Sequence, residues 1–80
     1  MLAPGAWYVR MGLAGALGLS GDLDEAKIEI AEMLKLKPAA NSIARVRAIL
    51  TTMGFGYPQY WALREKTINV GLRNAGLPDE

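Results

Sequence analysis

Four glycines at three-residue steps, Gly12, Gly15, Gly18 and Gly21, stand in the stretch "MGLAGALGLSGDLDEA". Glycines so placed can cradle a phosphate with bare backbone N–H groups, or let two backbones touch. A dinucleotide fingerprint needs G-x-G-x-x-G between a strand and a helix, and a Walker loop ends in Gly-Lys-Ser/Thr. Neither is present. The preceding "APGAWYVRM" has one valine and no strand pattern, and "GDLD" follows where a lysine is required. Asp22 and Asp24 would repel a phosphate. With Glu25 they form an acidic cluster that could in principle bind a metal or supply a carboxylate pair. A helix start accounts for all three, and no further oxygen ligand follows at loop spacing.

The 80 residues contain no cysteine and no histidine. Disulfides, thiol chemistry, Cys/His zinc sites, Ser-His triads and imidazole acid–base work are therefore excluded. No catalytic, cofactor-binding or metal-binding residue is expected, and the chain reads as non-enzymatic. Absence of cysteine fits a cytoplasmic location. Net charge is +1, against a broad electrostatic footprint for nucleic acid. Arg45, Arg47, Arg64 and Lys66 could still form a basic strip, for which a solvated polar face is the simpler account. The apolar run at 11–19 is far short of the roughly 20 residues a membrane span needs. A signal peptide is not expected either, because "MLAPGAWYVR" brings its charge late, after a proline and a tryptophan. About half of the chain is apolar (51%), enough for one small folded domain spanning 1–80.

Helices must position these groups. Steps of three keep Gly12, Gly15 and Gly18 within about a third of a helix circumference. Interior helical glycine costs roughly 1 kcal/mol against alanine, so close approach of a neighbouring helix is expected to offset it. The spacing predicts an all-α chain of four antiparallel helices in two hairpins, over about 4–19, 22–37, 42–53 and 58–75. Pro4 suits the first turn of helix 1. Gly21 stops that helix, and Asp22 with Glu25 forms a capping-box-like entry to helix 2. Pro38 ends helix 2, Asn41 or Ser42 caps helix 3, Gly54 ends it, and Pro58 opens helix 4. In "NAGLP", Gly76 reads as a left-handed cap with Leu77 packing back. The apolar stripe of helix 4 is Tyr60, Trp61, Leu63, Ile68, Val70 and Leu72.

The first hairpin resembles a tetratricopeptide repeat, whose pattern is W-x₂-L-G-x₂-Y, A-x₃-F, then P over about 34 residues. Arg10, Leu13, Ala14, Leu17, Ala26, Ile30 and Pro38 meet that spacing, with Arg for Trp, Ala for Gly, Leu for Tyr and Ile for Phe. Residues 7–40 then form one repeat, in which Ala14 and Ala26 allow the helices to cross and Leu13, Leu17 and Ile30 fill the space beside them. Residues 41–80 do not repeat the pattern, because Tyr60 falls at the small position. They form a divergent hairpin that caps the stack. Its ending, "GLRNAGLPDE" after Pro58 and Tyr60, resembles the C-terminal end of tetratricopeptide-bearing proteins of rhizobia and related bacteria. Many of those carry an adenylate/guanylate cyclase domain, and others a winged-helix domain.

The resemblance implies a scaffold without chemistry, the C-terminal segment of a larger signalling or regulatory protein that binds a protein or peptide. It places Trp7, Tyr8, Arg10, Met11, Gly12 and Gly15 on the partner-binding face of helix 1. That face would be covered by upstream repeats, by a partner or by a second copy of the chain. A free-standing, self-associating adaptor is the alternative, and a nucleic-acid binder a further one. The start "MLAPGAWYVR", nearly inside a helix, leans toward a segment of a longer chain.

Overall fold

The turn signals at Gly21, Pro38, Ser42, Gly54, Pro58 and Gly76 fall at observed helix ends. A computed structural model of the chain describes residues 6–80, which form α1 (Trp7–Ser20), α2 (Leu23–Leu36), α3 (Ile43–Thr52), α4 (Pro58–Lys66) and α5 (Ile68–Asn74), with no strand among the described residues. The expected start of helix 1 at Pro4 lies outside the described residues. Ser42 caps α3: its Oγ accepts the Arg45 N–H at 3.1 Å. Ser42→Ala is expected to lower stability by about 1 kcal/mol, read as a drop in the urea midpoint at unchanged slope. The capping box of α2 does not form. Asp22 stands at the N-cap, but its carboxylate accepts the Ser20 hydroxyl at 3.2 Å and caps no backbone N–H. Asp24 and Glu25 still occupy the first turn and Lys35 the last, as the helix dipole favours.

The fourth predicted helix is two. The break falls at Thr67, whose φ of −127° and ψ of −99° are not helical. "TINV" places Thr67, Ile68 and Val70, all β-branched, where helix propensity is already weak. The Thr67 hydroxyl donates to the Leu63 carbonyl at 2.9 Å, a back-bond that bends helices. Beyond the break, α5 closes on Gly76 (φ 99°), whose N–H donates to the Arg73 carbonyl while Leu77 N–H reaches the Leu72 carbonyl at 3.0 Å. The left-handed turn returns Leu77 to the core, where it is buried.

Helix α1 packs against both α2 and α5. Ala14 and Ala26 are fully buried, with Met33 and Ile30 beside them. Arg10 ties the same pair of helices through Glu29 at 2.9 Å. The glycine seam lies against α5 and is not the seam of the first hairpin. A Cβ at Gly18 would fall on the Gly71 carbonyl, one at Gly71 on the Gly15 carbonyl, and one at Gly15 against Ile68. Two backbones are in contact there, and Asn74 Nδ2 donates across the seam to the Gly18 carbonyl at 3.3 Å. Two expected core positions are instead exposed: Leu13 at 44% and Leu63 at 62%. The radius of gyration, 11.5 Å, matches the roughly 12 Å of a closed fold of this length, so the second half folds back over α1.

The tail fastens the two ends of the second half. Ile43 N–H donates to the Pro78 carbonyl and Ala44 N–H to the Asp79 carbonyl, both at 2.9 Å. These are orphan donors of the first turn of α3, satisfied by backbone from beyond α5. Arg73 holds the tail in place through Asp79 at 2.6 Å.

Candidate functional site

A cavity of about 410 Å³ opens between α1, the end of α3 and the α4–α5 arm. Helix α1 contributes Tyr8, Met11 and Gly12. Leu50, Met53 and Phe55 form a second wall, and Tyr60, Arg64 and Ile68 a third. Its size is within the usual range of small-molecule sites. Gly12 leaves the space open, since a Cβ built there would meet nothing within 4 Å among the described residues. Unlike Gly15 and Gly18, it has no packing partner that requires a missing side chain. The turn after α3 also shapes the mouth: Gly54 takes a φ of 96°, and Phe55 N–H closes it by donating to the Leu50 carbonyl at 2.9 Å. Phe55 thereby stands half exposed at the rim.

Among the described residues, the cavity's one charged wall residue is Arg64, only 2% exposed. Its Nη1 donates to Tyr60 Oη at 3.4 Å, and its Nη2 to Asn69 Oδ1 at 3.3 Å and to Met11 Sδ at 3.4 Å. These partners are neutral and the contacts long. Nε has no partner among the described residues. The rings of Trp61 and Tyr60 lie 5.0 and 5.7 Å from its guanidinium carbon. Such faces attract a cation but do not neutralise it. No carboxylate pairs with Arg64 among the described residues, and residues 1–5, "MLAPG", include no acidic side chain.

The expected partner face of helix 1 is divided. Met11 and Gly15 are buried, Gly15 against α5. Trp7, Tyr8, Arg10 and Gly12 are partly exposed, and Tyr8, Met11 and Gly12 line the cavity. Arg10 is engaged by Glu29, whose bond and charge raise its pKa. The basic strip is interrupted: Arg45, Arg47 and Lys66 are exposed while Arg64 points inward. Sequence reasoning missed Arg64 as a site residue. Its position was the available signal, three residues after Trp61 and four before Ile68, on the apolar stripe of that helix.

Arg64 connects to the surface through Asn69, which is fully buried and donates to Glu65 at 2.7 Å. Glu65 also receives Arg73 at 2.9 Å. Bonds from Arg73 first, and Asn69 second, hold the Glu65 carboxyl below the usual glutamate range. A depressed folded pKa stabilises above the unfolded value, and that contribution fades as pH falls through the folded value. Glu65 is half exposed, so the effect is small. Wild type should lose more urea resistance than Glu65→Gln when pH is taken from neutral to below the glutamate range.

No helix among the described residues is long and apolar enough to cross a membrane. Comparison with protein-family models, with curated proteins and with solved structures finds no match to this chain.

Proposed function

We infer that the chain is a non-catalytic interaction module of the tetratricopeptide kind. In this reading it is the C-terminal segment of a larger cytoplasmic bacterial signalling or regulatory protein, cyclase-linked in the form its closing motif resembles. The observation that carries the reading is the packing of the first hairpin, in which α1 lies along α2 and Arg10 is bonded to Glu29 across the pair. The repeat reading draws support from Ala14 and Ala26, the small positions of the pattern, both wholly buried. The partly exposed edge of α1, formed by Trp7, Tyr8 and Gly12, is the surface offered to a protein partner or to preceding repeats.

The test is made in the source cells. An immunoblot against this segment should give a band well above the 8.6 kDa of the chain. A photo-crosslinking analogue at Trp7 should give discrete adducts that the same analogue at Lys27, exposed on α2, does not. A product of the chain's own mass that crosslinks only to itself would replace this reading with a self-associating adaptor.

A further inference from the structure

We propose that the cavity beside Arg64 is a binding site for a small apolar monocarboxylate. It takes the apolar body of the ligand against α1 and the carboxylate at the Arg64 guanidinium. The proposal rests on the reading of the chain as a binder and adds a ligand class to it.

Two independent observations point to such an occupant. The first is the charge. A buried guanidinium without an anion is costly, and natural proteins pair such groups. Among the described residues the partners of Arg64 are a phenol, an amide and a thioether at 3.3–3.4 Å, and Nε is unpartnered. A carboxylate would supply the missing charge, and the guanidinium fork suits it. The second is the space. Gly12 sits inside α1 with nothing among the described residues within 4 Å of a Cβ built there, where alanine would favour the helix and any larger side chain would begin to fill the cavity. The remaining walls, including Leu50, Met53, Phe55 and Ile68, are apolar. One cation at the wall of an otherwise apolar space selects a ligand with one anionic end. It disfavours a phosphate or a dicarboxylate, whose further charge would have no partner.

The experiment titrates the 80-residue chain with octanoate, octanol, octylammonium and phenylbutyrate by calorimetry, with tryptophan fluorescence of a Trp7→Phe chain, in which Trp61 alone emits, as a second readout. Trp61 donates its Nε1–H to the Phe55 carbonyl at 3.0 Å and stacks near Arg64, so it reports on occupancy. Octanoate should bind saturably at one site, at least about tenfold tighter than octanol, the advantage of a charge-assisted bond. Octylammonium should not bind. Comparison of octanoate with phenylbutyrate separates acyl from aryl acids as the preferred body. Arg64→Met should reduce the preference for octanoate over octanol to within about twofold. Gly12→Leu, with Arg64 intact, should abolish binding of both while the fold persists, so a failure of Arg64→Met to fold leaves the test standing. Equal binding of octanol and octanoate by wild type would overturn the proposal, as would the absence of any binding. So would retained octanoate binding in folded Gly12→Leu, or dimerisation of the chain that excludes the probes. Crosslinking at Trp7 is read separately, so this proposal and the binder reading fail on different results.

Discussion

Gly71→Ala is expected to abolish the cooperative urea transition of this protein at room temperature, and Gly18→Ala to do the same. In both, the new methyl group would land on backbone across the α1–α5 seam. A crowded side chain can change rotamer, but a carbonyl can yield only if a helix moves. Overpacking a core with side chains costs about 1–3 kcal/mol, and backbone contact belongs at or above the top of that range. A domain of this size has only several kcal/mol to lose. Gly12→Ala is the control. It adds the same methyl group to the same helix in open space, and should raise stability by about 0.5–1 kcal/mol. Circular dichroism melts of the three variants read the contrast directly. A Gly71→Ala protein with a wild-type midpoint would mean that the two backbones do not touch.

Trp61→Ala should destabilise by about 3–5 kcal/mol, the cost of an aromatic cavity in a core. Trp61 is 5% exposed. It fixes the turn after α3 by its bond to the Phe55 carbonyl, and it carries both Arg64 and Arg47 on its ring, the latter at 5.3 Å. Trp61→Phe keeps the ring in the core and loses the Nε1–H bond, so it should cost only about 1–2 kcal/mol. The ordering of the urea midpoints (wild type, then Phe, then Ala) separates the packing contribution from the hydrogen bond. Equal losses would assign the whole effect to the bond.

Punctuation made the helices legible. Pro38, Ser42, Gly54, Pro58 and Gly76 each carry local information, because proline lacks an N–H and glycine admits a positive φ. The three-residue glycine steps announced a close backbone approach, and one exists. They did not say which helix approaches, because a glycine surface has no shape or charge that identifies its mate. Gly71, the fourth residue of α5, holds the answer only once the chain is folded. The break at Thr67 was half legible, in the β-branched residues beside it. The site was harder. Charged residues are ordinarily solvated, so Arg64 was grouped with Arg45, Arg47 and Lys66, although its spacing from Trp61 and Ile68 places it on the inward stripe. The cavity depends on what Gly12 lacks, and no sequence pattern distinguishes that glycine from the two that pack.

The seam also sets the order of events in folding. Asn74 and Gly18 are bonded across 56 residues, and Arg64 and Met11 across 53. Helix proteins fold fast when their contacts are local, and closing a long loop costs entropy before any contact repays it. The α1–α2 hairpin is local and is expected to form early, its glycine surface open until the last helix arrives. Refolding slower than that of a helical bundle with purely local contacts is the expected consequence.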